Sequence, residues 1–458
     1  MLTLWNTLHK QLEEFKPIKG KNVGLYTCGP TVYNPPTIGN LRTYVFEDVL
    51  KRTLVLLGYK VKHVMNITDV GHLVGDGDAG EDKVEKEAAK TGQSAWDIAK
   101  KNEKLFDADL KRLNIVAPVG KDRPHATDYI KQQIALIEKL EDKGFVYRIS
   151  DGIYFDTTKF DGYGKLSGQR IGDKQAGARV ELNREKKHPT DFALWKFSPG
   201  DAVRQMEWNS PWGRGFPGWH IECSAMSEKL LGQPFDIHCG GVDHISVHHE
   251  NEIAQSEAAY GKPLANYWLH GEFLLVDGGR MGKSEGNAYT LDDLIKKGFD
   301  PLAYRFYCLG THYRSKLNFT WEGLEGAQSA LRKLQVASRN LSVGNKIAAP
   351  TEFVNAISDD LNTPQALAFM WELLKSDASA EEKGSALVAM DEIFGLGLAD
   401  IVGQPLDIPG DVKALAEERF LARQNKDWQK SDELRDAIKE KGWTVEDTKK
   451  GYDLQPNT

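Results

Sequence analysis

The densest group of potential metal ligands in the sequence is HHENE, residues 248–252. His248 and Glu252 are four residues apart, so an α-helix places both side chains on one face, within reach of a single ion. Two more ligands must come from elsewhere, and the loop cysteine Cys28 and the helical Cys223 are the natural candidates. Sulfur, imidazole and carboxylate together suit zinc. The sequence therefore presents a candidate zinc site of four side chains.

The same residue types also fit an interpretation without a metal. The histidine and the glutamate are equally consistent with a solvated helix face, and the helical cysteine with a core position. His238, Cys239 and His244 are competing ligands near the same segment, although Cys-Gly-Gly beside a strand is more often a packing feature. The residues alone leave both the presence of a metal and its ligands open.

Two loops contain residues suited to binding phosphate. The segment TIGN, residues 37–40, opens a predicted helix, where unpaired N–H groups and the helix dipole favour an anion. Gly39 leaves room for a flat ligand to approach the backbone. The loop GRMGKSEGN offers Lys283, whose charge can stabilise phosphate in a transition state. It is not a P-loop, because Asp277 stands where that motif requires glycine.

These loops belong to an alternation of strands and helices. Residues 22–28 read as a buried strand, the segment from about Gly39 as a helix that stops at Gly58, and residues 59–70 as a second strand. This βαβ pattern predicts a parallel sheet with ligands at the carboxyl ends of its strands. The pattern returns with a helix, the strand FDIHC and a helix from about residue 248, and NYWLHGEFLLVDG then predicts a β-hairpin.

The length of 458 residues predicts several domains. Residues 1–290 read as an α/β domain, within which residues 118–205 resemble an inserted subdomain. Residues 291–400 are predicted to be nearly all helical. A small charged module at 411–458 follows the linker GQPLDIPG.

Composition excludes several classes of protein. A net charge of −7 argues against a protein that coats nucleic acid through bulk positive charge, although it permits a local basic face. Four cysteines in so long a chain are no disulfide framework. We find no signal peptide and no apolar run long enough to cross a membrane, so we expect a cytoplasmic protein without membrane contact.

Taken together, the motifs resemble those of the class I cysteinyl-tRNA synthetases. CGPTVYN with TIGN, then GWHIECSAM, GGVDHISVHHENE and RMGKSEGN occur in that family's order, followed by a similar C-terminal segment, ARQNKDWQKSDELRDAIKEKGWTVEDTKKG. The resemblance covers nearly the whole chain. It implies an α/β fold: a Rossmann-like parallel-sheet catalytic domain with an inserted connective subdomain, a helical stem-contact and bundle region, and a C-terminal anticodon-binding module.

The resemblance implies an enzyme that activates cysteine with ATP and Mg²⁺ and transfers it to tRNA(Cys). One zinc ion per chain is expected to select the substrate, because a thiolate is a better zinc ligand than an alcohol and the metal lowers the pKa of the thiol. Cysteine, ATP and tRNA(Cys) are the expected partners, and we expect a monomer.

The resemblance also implies a role for individual residues. RMGKS, residues 280–284, matches the family's second nucleotide signature, with Lys283 at the ATP-contacting lysine. The implied sites are Cys28, Cys223, His248 and Glu252 for zinc; Thr37, Asn40 and Lys283 for catalysis; Thr37, Gly39, Asn40, Asp243, Arg280, Lys283 and Ser284 for ATP; and Thr68 and Trp219 for cysteine.

Both nucleotide signatures depart from the family pattern. Thr37 and Asn40 replace the histidines of His-Ile-Gly-His, and Arg280 and Gly282 replace a lysine and a serine of Lys-Met-Ser-Lys-Ser. An acidic insertion also follows NITD, at about residues 71–82. Two alternatives therefore stay open: a cysteine ligase acting on an amino sugar, against which the C-terminal module argues, and a catalytically inactive RNA-binding paralogue.

Overall fold

The computed structural model describes residues 1–71, 88, 90, 92–168, 183–198, 204–282, 285–448 and 451–456. Most of the acidic insertion, together with Lys283 and Ser284, lies outside the described residues. The chain divides into two compact units. Unit 1 comprises residues 1–291, 308–320 and 351–367, and unit 2 comprises 292–307, 321–350 and 368–458.

The secondary-structure elements in the described part of the chain are numbered in chain order. The strands are β1 (Thr3–Asn6), β2 (Gln11–Glu14), β3 (Asn22–Thr27), β4 (Lys60–Met65), β5 (Val146–Ile149), β6 (Gly152–Phe155), β7 (Phe192–Phe197), β8 (Gly215–Pro217), β9 (Phe235–Gly241), β10 (Ala265–Gly271), β11 (Leu274–Val276), β12 (Gly279–Arg280), β13 (Leu317–Phe319), β14 (Trp443–Thr448) and β15 (Gly451–Pro456). The α-helices are α1 (Ile38–Leu56), α2 (Ala95–Arg112), α3 (Ile130–Asp142), α4 (Trp219–Leu231), α5 (His248–Tyr260), α6 (Leu291–Lys296), α7 (Pro301–Leu309), α8 (Trp321–Arg339), α9 (Thr351–Ser358), α10 (Thr363–Lys375), α11 (Ala380–Phe394), α12 (Gly410–Gln424) and α13 (Trp428–Glu440).

Unit 1 is built on a parallel sheet in the order β10-β9-β3-β4. The predicted βαβ unit is confirmed, because α1 connects β3 to its parallel neighbour β4. The carboxyl-terminal halves of β3 and β4 are buried, and β9 is buried up to Gly240. Near-continuous apolar strands of this kind are typical of a parallel sheet covered on both faces. The sheet therefore brings the ends of β3 and β9 side by side.

The predicted hairpin in NYWLHGEFLLVDG is wrong. Strand β10 pairs with β9 in the parallel sheet, whereas β11 pairs antiparallel with β12 and parallel with β13 in a separate three-stranded sheet. At the boundary, the backbone N–H of Glu272 donates to the carbonyl of Tyr313 at 2.8 Å. The chain leaves the first sheet at this point, so two adjacent apolar runs serve two different sheets.

Between β4 and β9, unit 1 contains an antiparallel sheet in the order β5-β6-β7-β8. Its buried aromatic residues Phe155, Phe192 and Trp195 belong to one hydrophobic cluster with apolar residues of α3, α4 and α5. The sequence analysis expected the inserted subdomain to end at residue 205, but β8 of this sheet lies beyond that limit. The short segment GFP has no strand signal of its own, and only its pairing with β7 assigns it to the sheet.

Unit 2 is mainly helical and includes the β14-β15 hairpin near the C-terminus. Apolar residues of α12, α13 and the hairpin form one small core, and Arg419 makes two hydrogen bonds to Asp447, at 2.8 and 3.1 Å. Elsewhere in this unit, Arg305 is fully buried and donates to the carbonyl of Phe394 at the end of α11. None of the helices within the described ranges is both long and apolar enough to cross a bilayer.

We expect Gly395→Ala to destabilise unit 2 more than Gly442→Ala. Both glycines follow a helix with positive φ, 62° and 82°, where a Cβ costs about 1–2 kcal/mol. At Gly395 the new Cβ also meets the Arg305 guanidinium at 2.8 Å, whereas nothing lies within 4 Å at Gly442. Overpacking of this kind adds about 1–3 kcal/mol. Thermal unfolding of the two variants measures the difference, and equal losses would show that Arg305 moves aside without cost.

Candidate metal centre and nucleotide site

The four predicted zinc ligands come together in the structure. Cys28 follows β3, Cys223 lies in α4, and His248 and Glu252 lie in the first two turns of α5. All four are buried, and their ligand atoms lie within 4.8 Å of one another. His248 Nε2 is 3.1 Å from Glu252 Oε1, as the four-residue spacing predicts. Two sulfurs, one imidazole and one carboxylate in a compact group are a donor set that suits a divalent metal such as zinc.

A second donor set overlaps the first. Cys28, His238, His249 and Glu252 are also buried with ligand atoms within 4.8 Å of one another. Cys28 Sγ is 3.2 Å from His249 Nε2, and His238 Nε2 is 3.0 Å from Glu252 Oε2. The sequence analysis named His238 as a competitor but missed His249. A three-residue spacing from Glu252 places His249 near the same helix face, and this spacing was the available signal.

Burial and mutual charge shift the pKa values of the clustered side chains in different directions. Burial alone raises the pKa of Glu252, but the charges of His238 and His248 outweigh it and lower this pKa to about 2. Burial likewise lowers the pKa of His248, yet Glu252 and Cys223 raise it to about 10. For Cys223, burial is outweighed by a hydrogen bond with Cys28, and the pKa falls to about 7. Since metal ligands must be deprotonated, the carboxylate is ready to bind a metal, whereas His248 has a proton to lose.

A cavity of about 270 Å³ opens beside this cluster. It connects this candidate cluster with the segment at residues 37–40 and with the start of α4. Of the second donor set, only Cys28 reaches the cavity; His238 and His249 are not part of its lining. The sequence-predicted residues on its lining are Cys28, Thr37, Asn40, Thr68, Trp219, Cys223, Asp243 and His248.

Trp219 and Thr68 border the same cavity by different contacts. The Trp219 ring lies 4.4 Å from the His248 ring, centroid to centroid. Thr68 is buried, and its hydroxyl donates to Glu222 Oε2 at 3.0 Å while accepting from Asn66 Nδ2 at 3.0 Å. The sequence analysis missed Asn66 and Glu222, although a polar residue directly after a strand, as in NITD, is a usable signal.

The N-terminus of α1 is closed by its own side chains. Thr37 Oγ1 accepts from the backbone N–H of Asn40 at 3.3 Å, and Asn40 Oδ1 accepts from the backbone N–H of Thr37 at 3.0 Å, which is a capping box. The N–H of Ile38 donates to the carbonyl of Tyr289. Among the described residues, the Gly39 N–H and the Asn40 amide NH₂ show no hydrogen-bond acceptor. The expected row of unpaired N–H groups is thus reduced to these two donors.

Gly39 packs against Met281 of the segment GRMGKSEGN, the second of the two predicted phosphate-binding loops. A Cβ at Gly39 would lie 2.2 Å from Met281 Cε, so glycine here admits the methionine rather than leaving open space. Asn287 holds the ends of this loop, because its Oδ1 accepts from the Gly282 N–H at 2.8 Å and its Nδ2 donates to the Arg280 carbonyl at 3.1 Å. The described parts of the two nucleotide segments are therefore neighbours.

The remaining predicted ATP residues in the described chain are exposed. Asp243 follows β9, and 63% of its side chain is accessible to solvent. Arg280 is exposed at the end of β12. These positions allow contact with a ligand, but they form no site by themselves.

Comparison with known proteins identifies the parts of the chain. Residues 14–329 match the family model of tRNA synthetases class I (C) catalytic domain, residues 352–399 the DALR domain, and residues 406–452 the cysteinyl-tRNA ligase anticodon binding domain.

Two solved structures share the fold at low identity. A LeuRS of Agrobacterium radiobacter in a ternary complex aligns with a TM-score of 0.59 at 12% identity, covering 85% of this chain and 86% of that one. The methionyl-tRNA synthetase of Mycobacterium tuberculosis bound by methionyl-adenylate aligns with a TM-score of 0.51 at 14% sequence identity. The alignment covers 83% of this chain and 92% of that one.

Curated relatives are far more similar in sequence. A cysteine–tRNA ligase 1 of Burkholderia lata is 51% identical over 456 residues, which are 99% of this chain and 96% of that protein. A cysteine–tRNA ligase of Treponema denticola is 44% identical over 97% of this chain and 98% of its own length. The chain has the class I synthetase fold and belongs to the cysteinyl-tRNA synthetase family.

Proposed function

We propose that this chain is a cysteine–tRNA ligase, which forms cysteinyl-adenylate and pyrophosphate from cysteine and ATP and then transfers cysteine to tRNA(Cys), releasing AMP. The observation that carries the proposal is the single cavity in which a buried Cys/His/Glu cluster meets the N-terminus of α1. Full-length similarity to cysteine–tRNA ligases supports it. Neither an amino-sugar ligase nor an inactive paralogue has such support, and the anticodon-domain match at 406–452 favours a tRNA substrate.

We propose zinc, one ion per chain, on the donor set Cys28, Cys223, His248 and Glu252. Two thiols make this set softer than the overlapping one, and zinc favours such ligands. Accessibility gives a second reason. Cys28, Cys223 and His248 line the cavity, so an ion held by them can be reached by a substrate thiol.

Specificity for cysteine over serine is the hardest requirement, because the two amino acids differ by one atom and a shape-based pocket separates such molecules poorly. When bound, zinc supplies a Lewis acid that accepts a thiolate far better than an alcohol. Trp219 closes one side of the pocket against His248. Thr68 borders the substrate without donating to it, since its one hydroxyl proton is already used by Glu222.

In the activation step the cysteine carboxylate attacks the α-phosphate of ATP, which enters with Mg²⁺. No side chain acts as a nucleophile, so catalysis depends on positioning and on stabilising charge. The Gly39 N–H and the Asn40 amide are the donors of the first segment, and Thr37 orients Asn40. Lys283 supplies positive charge to the phosphates, and Arg280, Ser284 and Asp243 contact the nucleotide. The terminal ribose hydroxyl of tRNA then attacks the adenylate.

The roles of the domains are part of the same proposal. Residues 1–290 carry the chemistry and include the connective subdomain at 118–205. Residues 291–400 form the stem-contact and bundle region, and 411–458 read the anticodon, where phosphate contacts make tRNA affinity dependent on salt. A monomeric state and a cytoplasmic location stay predictions.

We expect one zinc per purified chain and loss of zinc in the double variant Cys223→Ala, His248→Ala. This change removes a thiol and an imidazole from the proposed set and leaves the overlapping set intact. Cys239→Ala is the matched control, because it removes a buried thiol of β9 that belongs to neither set. Elemental analysis and the thiolate-to-metal absorption of the cobalt-loaded protein are the measurements. Full zinc in the double variant would assign the metal to His238 and His249.

We expect ATP–pyrophosphate exchange that depends on cysteine and is far slower with serine. Lys283→Ala should lower the rate by about 10²–10³-fold, because it removes a charge-stabilising group from the transition state. Its zinc content should not change. Lys60→Ala, at the exposed amino end of β4, is the control. Equal exchange with serine would contradict metal-based selection, and an unaffected Lys283→Ala enzyme would remove that residue from the mechanism.

We expect Thr37→His to slow activation even though it restores a family residue. The change removes the hydroxyl that caps the Asn40 N–H and contacts Asn40 Oδ1 at 2.8 Å. Loss of a cap costs about 1 kcal/mol of helix stability, and loss of a hydrogen bond between neutral groups about 0.5–1.5 kcal/mol. Thr37→Ser keeps the hydroxyl and should behave like wild type. The measurement is kcat and KM for ATP in exchange, and a faster Thr37→His enzyme would show that the capping box is dispensable.

A further inference from the structure

The two cysteines of the proposed zinc site lie on different elements, which must be held at a fixed separation. Cys28 follows a strand, and Cys223 lies in a helix about 200 residues later in the chain. Each cysteine has a neighbour that ends a buried hydrogen-bond chain: Gly29 follows Cys28, and Glu222 precedes Cys223. Two side chains of the segment after β4 connect these neighbours.

The connection consists of three hydrogen bonds in sequence. The Gly29 N–H donates to Asn66 Oδ1 at 2.9 Å. Asn66 Nδ2 donates to Thr68 Oγ1 at 3.0 Å, and Thr68 Oγ1 donates to Glu222 Oε2 at 3.0 Å. Each member therefore depends on the next, and a single substitution in the middle interrupts the whole connection.

The bridge is almost fully buried and tightly packed, and Asn66 and Thr68 line the edge of the cavity. The exposed fractions of Asn66, Thr68 and Glu222 are 1%, 2% and 0%. A Cβ at Gly29 would lie 1.5 Å from the Asn66 carbonyl oxygen, so only glycine permits this approach of the two backbones. The Thr68 N–H also donates to the Pro30 carbonyl at 3.0 Å. Because these side chains are almost inaccessible, loss of one partner leaves a buried polar atom without that hydrogen bond.

We propose that Asn66, Thr68 and Glu222 are positioning residues that set the separation of the Cys28 and Cys223 thiols and thereby the affinity for zinc. The inference rests on the proposed metal site. Groups outside the ligand set commonly change metal affinity 10–100-fold when they are altered, because they orient the ligands. Here the bridge orients two ligands through their chain neighbours rather than by contact with them.

Thr68→Val tests the bridge, because it keeps the shape of the side chain and removes only the hydroxyl. We expect zinc affinity, measured by competition with a chromophoric chelator, to fall by about 10–100-fold, with faster release of zinc. Thr68→Ser restores the hydroxyl and should bind zinc like wild type. Asn66→Asp keeps the acceptor for the Gly29 N–H but loses the donor to Thr68, so this variant should also bind zinc more weakly. It replaces Thr68→Val as the test if that variant does not fold.

Asn102→Ala is the matched control for loss of a buried hydrogen bond in the same region. Asn102 is buried and donates to the Val32 carbonyl at 3.2 Å, and it takes no part in the hydrogen bonds of the bridge. The Asn102→Ala variant should have a lower melting temperature than wild type and the same affinity for zinc. If Thr68→Val behaves in this way too, the bridge is only structural and the inference is overturned, while the metal site stands. A wild-type protein that binds no zinc would overturn both.

Discussion

A carboxylate buried without solvent governs the architecture of the site. Glu252 is fully buried and ionised, so its charge must be compensated by neighbouring groups. His248 faces one of its oxygens and His238 the other. These partners come from the start of α5 and from the middle of β9, and the loop after β3 adds Cys28 at 4.0 Å. The loop after β3, strand β9 and helix α5 thus each supply a group that surrounds this one charge.

The parallel sheet makes this arrangement possible. In the register of β3, β9 and β10, His238 is paired with Tyr26 on one side and Trp268 on the other, and its ring stacks on Trp268 at 4.5 Å. A histidine in a central strand is thus covered by aromatic rings and still points one nitrogen at the carboxylate. The loops at the carboxyl ends of the same strands are free to form the cavity, as is usual for parallel sheets.

The altered first nucleotide signature has a structural consequence. Thr37 and Asn40 hydrogen bond to each other across the first turn of α1 and use backbone donors that an anion would otherwise take. Among the described donors of this first turn, the Gly39 N–H and the Asn40 amide keep no acceptor. The signature therefore exchanges two imidazoles for one oriented amide. A pair of short polar side chains can do this because both are good capping residues.

The sequence by itself determined the features that depend on short spacings: the βαβ unit, the helix that places His248 beside Glu252, and the glycine-bearing turn before α1. The residue types that zinc prefers made Cys28 and Cys223 candidate ligands, and the family resemblance implied the full set of four. Only the tertiary structure decided that His249 and His238 offer an overlapping donor set, that β10 and β11 belong to different sheets, and that Asn66 and Thr68 connect the two cysteine segments. Local patterns follow from the periods of a helix and a strand. These contacts instead join residues as far as 221 positions apart, as in Cys28 and His249, and packing and burial select their partners.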